Sequence, residues 1–153
     1  MSAEKSEKEL AFLQELYVAT DWGERFAALM DEHVELPKKG RVLYVAAGTG
    51  GHAIAMQERA GDDVSFVCID ESEECLELAR VKAMVIRADP EFRRAQLEEL
   101  GFQDDQFNVV VGDASLVAPE RLPEIIAEMS RVALPGGLVA LSVGRRDAGP
   151  EPR

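Results

Sequence analysis

Apolar positions change their spacing near Gly40, and the change separates two kinds of segment. Ahead of it, Leu10, Leu13, Leu16 and Tyr17 follow a helical period, with Ser6 and Glu9 forming a capping box in front of them. Asp21 with Glu24 repeats that signature before Trp22, Phe26, Leu29 and Met30, so two amphipathic helices are predicted over 1–37, the second ending near Pro37. Beyond Lys38-Lys39-Gly40, strands and helices alternate. Val42 to Ala47 is a continuous apolar run, the pattern of a strand covered on both faces. Gly48-Thr49-Gly50-Gly51 turns it into a helix from His52 to Ala60, with Gly61 placed as its C-cap. Val64 to Ile69 is a second strand ending on Asp70. Ser72 caps a longer helix whose apolar face is Leu76, Ala79, Ala83 and Ile86, with Pro90 as its stop. Phe92 to Gln96 is a third strand, the least apolar because it carries Arg93 and Arg94, and Phe107 to Val111 is a strong fourth. Leu122, Ile125, Ile126, Met129 and Val132 share one helical face, Pro135-Gly136-Gly137 breaks it, and Leu138 to Val143 is the fifth strand. The polar tail 145–153 is predicted disordered.

Strands alternating with helices imply right-handed crossovers and a parallel, doubly wound α/β sheet. With 153 residues the chain is sized for a single domain, 1–144, in which 1–37 forms a helical layer over the core 41–144. Seventeen Lys and Arg against 29 Asp and Glu give a net charge of −12, a field that disfavours nucleic acid and anionic membrane as partners. Cys68 and Cys75 make no CxxC pair, and His33 and His52 are the only imidazoles, so no metal site is expected. Two thiols in no CxxC motif, a charged start and the lack of a membrane-length apolar run point to the cytoplasm.

Candidate chemistry gathers at the first strand's exit. In open α/β sheets, ligands bind beyond the carboxyl ends of the strands, where strand order reverses. Gly48-x-Gly50 lets a backbone approach a ligand closely, and the following helix offers unpaired N–H groups. Asp70 closes the second strand twenty residues after Gly50, where a carboxylate can accept from both hydroxyls of an adenosine ribose. The alternative is that the glycines serve only a tight strand-to-helix turn. Gly48-x-Gly50-x-x-Ala53 also fits a dinucleotide fingerprint, which keeps an NAD-dependent oxidoreductase in view.

Three segments decide between these ligands by resemblance. Val42-Leu43-Tyr44-Val45-Ala46-Ala47-Gly48-Thr49-Gly50 resembles the first motif of the class I S-adenosylmethionine-dependent methyltransferases. The run from Leu100-Gly101-Phe102 to Asn108-Val109-Val110 is similar to their approach to the fourth strand. Glu128-Met129-Ser130-Arg131-Val132-Ala133-Leu134-Pro135-Gly136-Gly137 resembles the helix-to-strand signature of the methyltransferase type 11 branch. The resemblance implies a Rossmann-like sheet of about five strands in the order 3-2-1-4-5 and S-adenosyl-L-methionine as cofactor. It implies the methionine moiety against the Gly48 to Gly51 loop, the ribose on Asp70 and the adenine beside Gln96 and Leu97, with Ala46, Ala47, Thr49, Gly50 and Glu71 also among the cofactor-binding residues. Gly112 and Asp113, after the fourth strand, fall where the methyl group and substrate entrance are expected, although Asp113 also suits a plain loop cap. The acceptor implied is a small molecule, left unidentified.

Two departures stand out. Tyr44 occupies the position of an acidic residue that helps hold the cofactor's ammonium group, and Ala46 that of the motif's first glycine. They support an alternative, a degenerate cofactor-binding or protein-interaction module without turnover. No general base is assigned: His52, in the first turn after the glycines, is a candidate by type only. Tyr17 and Trp22 are core residues first and ligand contacts second. Family members continue past the fifth strand with a helix and an antiparallel strand pair, so this sequence reads as truncated there. The fifth strand is then an open apolar edge, which fits either a fragment of a longer protein or a homodimer formed along that edge.

Overall fold

A computed structural model describes residues 30–32 and 34–143. Most of the two N-terminal helices, with Tyr17, Trp22 and His33, and the tail 145–153 lie outside the described residues. The elements are β1 (Gly40–Val45), α1 (Gly51–Ala60), β2 (Val64–Asp70), α2 (Glu73–Ile86), β3 (Glu91–Arg94), β4 (Phe107–Ala114), a 3-10 turn (Pro119–Arg121), α3 (Leu122–Val132) and β5 (Ala133–Val143). All strand pairs are parallel, and the sheet has the expected order β3-β2-β1-β4-β5.

Strand alternation divides the core between the faces. Val42, Tyr44, Phe66, Cys68, Val109 and Val111 pack with Ala53 and Met56 of α1 and with Met30 and Val34. Leu43, Val45, Val67, Ile69 and Val110 face the other way, onto Ile125, Met129 and Val132 of α3. Burial on both faces is why the central strands read as unbroken apolar runs. Among the described residues no helix is long and apolar enough to cross a membrane.

Several boundaries differ from those expected. β1 stops at Val45 because Ala46 turns left-handed, with φ 61°, although the Ala47 N–H still donates to the Ile69 carbonyl at 3.0 Å. β3 pairs only over Glu91–Arg94 and ends where its partner β2 ends, so Ala95 and Gln96 lie beyond it. β4 continues through Gly112 and Asp113 to Ala114, so that pair belongs to the strand rather than following it. α2 ends at Ile86, not at Pro90. Arg87 adopts φ 61°, its N–H donates to Met84 O, and the Ala88 N–H donates to Ala83 O at 2.9 Å, a Schellman closure without glycine. Ile86 and Ile126, expected on buried faces, are exposed; at the last position of α2 no further turn covers Ile86. Pro135-Gly136-Gly137 is a bulge inside β5, not a gap ahead of it. Phe107 pairs with Ala133 and Val109 with Leu138, so the intervening residues bulge out, with Gly136 at φ 81°.

Candidate functional site

The chain runs from β1 outward to β3, then crosses back to β4, so strand order reverses between β1 and β4. A cavity of about 160 Å³ opens beyond the carboxyl ends of the strands there. Ala46 lines it from the exit of β1, Asp70, Glu71 and Ser72 from β2, and Asp113, Ser115, Leu116 and Val117 from β4. Leu97, Cys75 and Arg121 complete the lining.

Asp70 organises this end of the sheet. Its Oδ1 accepts the Gly48 N–H at 3.1 Å and its Oδ2 the Ser72 N–H at 3.0 Å, so the carboxylate is turned onto the glycine bend. A carboxylate has about four acceptor positions, which makes backbone anchoring compatible with ribose hydroxyls. Ser72 in turn caps α2, its Oγ accepting from the Cys75 N–H at 3.2 Å, with Glu73 and Glu74 placed favourably in the first turn. Gly48 sits at φ 61°. Gly50, at φ 86°, has another reason for lacking a side chain: a Cβ there would lie 2.7 Å from that of Ala79, so close α1–α2 packing requires it.

On the β3 side the lining is ionic. The Arg121 guanidinium spans two carboxylates, with Nη1 3.2 Å from Glu71 Oε1, Nη2 also on Glu71 Oε2, and Nε 2.6 Å and Nη2 2.8 Å from the Glu98 oxygens. Glu71 Oε2 also accepts the Leu97 N–H at 3.0 Å, and Arg94 Nε donates to the Glu71 carbonyl at 3.0 Å. The Arg121 hydrogen bond holds the Glu98 carboxyl below its ordinary range, and the two carboxylates raise the guanidinium further. A wider cleft of about 800 Å³ lies outside, lined by Arg94, Ala95, Gln96, Glu98 and Glu124; Glu71 and Arg121 border both spaces.

Beneath β1, buried Tyr44 meets the partly buried His52, which leads out to the exposed Asp31–Arg59 ion pair. Tyr44 Oη lies 2.7 Å from His52 Nδ1, and His52 Nε2 lies 3.1 Å from Asp31 Oδ1, which Arg59 also engages at 2.6 Å. A carboxylate only accepts, so Nε2–H donates to Asp31, and in the neutral ring Nδ1 accepts the Tyr44 hydroxyl proton. Burial, reinforced by Asp113, pushes the Tyr44 hydroxyl well above its usual pKa. Burial also lowers His52, against the pull of Asp31, and takes the Cys68 thiol up to about 12.

Of the residues singled out in the sequence, Ala46, Asp70, Glu71, Leu97 and Asp113 are brought together around the cavity. Gly48 reaches it through its bond to Asp70. Gln96 is exposed in the outer cleft. Ala47 packs against the core, Thr49 is buried with its hydroxyl accepting from Lys82 at 3.1 Å, and a Cβ at Gly112 would come within 3.0 Å of Leu141 Cδ1 and of the Val45 carbonyl oxygen. Sequence reasoning missed Arg121, whose partners are far away in the chain. It also missed the Tyr44–His52 pair, although a strand-end tyrosine eight residues before a first-turn histidine is a usable signal.

Comparison with known proteins follows the same outline. A family model described as a methyltransferase domain matches residues 42–137. Demethylmenaquinone methyltransferase from Deinococcus radiodurans is 34% identical over 126 residues, covering 82% of this chain and 51% of that protein. Phosphatidylethanolamine N-methyltransferase from Cereibacter sphaeroides is 38% identical over 116 residues, covering 72% and 54%. The chain thus spans about half the length of the curated relatives it matches. Among solved structures, the PH0226 protein from Pyrococcus horikoshii OT3 superposes with a TM-score of 0.70 at 25% identity, over 86% of this chain and 63% of that one.

Proposed function

The chain belongs to the class I S-adenosylmethionine-dependent methyltransferase family, and from that premise we propose that it binds S-adenosyl-L-methionine and transfers the methyl group to a small molecule. One observation carries the reading: the Asp70 carboxylate, fixed onto the Gly48 bend, faces a cavity at the sheet's switch point. The residues present fit the cofactor. Asp70 would hold the ribose, Glu71 and Leu97 would border the base with Gln96 at its rim, and the bend Ala46 to Gly50 would take the methionine end. Gly112 and Asp113, at the end of β4, would flank the reacting centre. When bound, the cofactor supplies an activated methyl group on a sulfonium; the protein's part is alignment for in-line displacement. Tyr44 would replace the family's carboxylate by a neutral oxygen whose proton is committed to His52.

The acceptor class rests on relatives named for a quinone and for a phospholipid, two different small molecules on one scaffold. Cys68 and Cys75, both buried, suit a reducing cytoplasm. Among the described strands β5 pairs only with β4, which keeps its outer edge as the surface for a second copy.

Isothermal titration with S-adenosylhomocysteine tests the core of this reading. A saturable heat is expected, and no binding at about 1 mM ligand overturns it. Ala46 in the left-handed region supports a second reading, a binding module without turnover. Cofactor affinity without methyl release across a panel of quinone, amine and lipid acceptors favours that one.

A further inference from the structure

Arg121 belongs to none of the motifs, yet it makes four hydrogen bonds to two carboxylates on the boundary between the inner cavity and the outer cleft. Its position follows from the chain path. Pro119 starts a 3-10 turn that delivers Arg121 to the N-terminus of α3, so its side chain extends from the β4–α3 connection across to the ends of β2 and β3. There it ties Glu71, the first residue past β2, to Glu98, in the loop after β3. Glu71 Oε2 also accepts the Leu97 N–H, so Glu71, Leu97, Glu98 and Arg121 form one wall.

The inner space of about 160 Å³ is smaller than small-molecule sites usually are, roughly 300 Å³ and upward. A nucleoside anchored by its ribose on Asp70 would outgrow that space, and the larger cleft adjoins it at Glu71 and Arg121, which line both. A base reaching the larger cleft would pass the Glu71–Arg121 wall. We infer that Arg121 is the positioning residue for the nucleobase of the ligand, acting through Glu71 and the Leu97–Glu98 backbone rather than on the transferred group. This rests on the cofactor reading above. The planar guanidinium fork is what the role needs, because one ammonium cannot engage two carboxylates in fixed directions. Glu71 and Glu98 are partly solvated, so loss of the clasp leaves two hydrated carboxylates and a fold of nearly the same stability.

The test compares ligands that share the ribose and differ at the base. S-adenosylhomocysteine, adenosine and S-ribosylhomocysteine, which lacks a base, are competed against the wild type, Arg121→Ala and Arg121→Lys, with unliganded melting temperature as a control. Arg121→Ala is expected to weaken S-adenosylhomocysteine and adenosine by about tenfold each, and to leave S-ribosylhomocysteine within about twofold. Lysine should recover only part of the loss. Equal weakening of all three ligands would mean a loosened crevice and overturn the inference, as would unchanged affinity for S-adenosylhomocysteine or full recovery with lysine. A wild type that binds none of the three fails the cofactor reading itself, and the inference falls with it.

Discussion

On the β2–β3 side of the crevice, charges are kept and satisfied: Asp70 by two backbone N–H groups, Glu71 and Glu98 by Arg121, all partly open to water. On the β1 side stand Tyr44, 2% exposed and bonded to His52, and Ala46, which the resemblance sets where the family has an acid and a glycine. One wall works by charge-assisted bonds that cost little to hydrate, the other by neutral bonds that are expensive to leave unmade. Affinity for a nucleoside should therefore respond mainly to substitutions on the first wall, and stability mainly to substitutions on the second. Asp70 is the exception that joins both, because its bonds hold the bend of β1 to the end of β2.

Replacing Asp70 tests that exception and carries the largest expected effect. Asp70→Ala leaves the buried Gly48 N–H and the Ser72 N–H without their acceptor, costing about 2–6 kcal/mol of stability at about 1–3 kcal/mol per unmet group. It should also weaken S-adenosylhomocysteine by about a hundredfold or more. Asp70→Asn keeps one acceptor oxygen and should lose less than half as much on both scales. Urea denaturation and ligand titration read the two quantities separately. An Asp70→Ala protein that unfolds more easily yet binds within about threefold would confine Asp70 to holding the bend, with no part in gripping a ribose.

The buried wall gives the next effect, on stability and its pH dependence. Tyr44→Phe removes the proton donor facing His52 Nδ1 and should cost about 1–3 kcal/mol, with little change in nucleoside affinity. His52 titrates lower in the fold than in the unfolded chain because of its burial. Below the unfolded value of 6.5 the unfolded state then binds more protons, so the His52 contribution is whole above that pH and fades as pH falls through the folded pKa. Urea midpoints taken from about pH 8 down to about pH 5.5 should drop in the wild type and drop less steeply in His52→Gln. Equal slopes would mean that Asp31 offsets the burial.

How far these features could be read in advance follows from how local their causes are. β1, β2 and β4 are legible because burial on both faces writes an unbroken apolar run, and Ser72 because a cap acts within three residues of itself. Asp70 is legible by its place at a strand end, a property of one segment. Arg121 is not, since Glu98 and Glu71 lie 23 and 50 residues away in sequence and only the return from β3 to β4 brings the three together. The end of α2 misleads because Arg87 takes a left-handed conformation usually left to glycine. Pro135-Gly136-Gly137 misleads differently: a breaker and a bulge use the same residues, and the pairing of Phe107 with Ala133 makes it a bulge.

The smallest expected effect is also the only favourable one, and it lies on the β1 wall. Ala46 holds φ 61°, a left-handed conformation that costs an L-residue about 1–2 kcal/mol. Glycine relieves that strain but gains chain entropy when unfolded, a loss of about 0.5–1 kcal/mol. Ala46→Gly should therefore stabilise by about 0.5 kcal/mol, a rise of about 1–2 °C in Tm for a chain of this size. Ala46 also lines the cavity, so removing its methyl group would make room where the methionine end would lie. S-adenosylhomocysteine should bind up to about threefold more tightly, while adenosine, which stops short of that end, should bind as before. Tighter adenosine as well would mean that the methyl group crowds the ribose. A loss of stability would show that the Ala46 methyl makes contacts worth more than the strain it imposes, and the β1 wall would then be packed for its own sake rather than narrowed against a ligand.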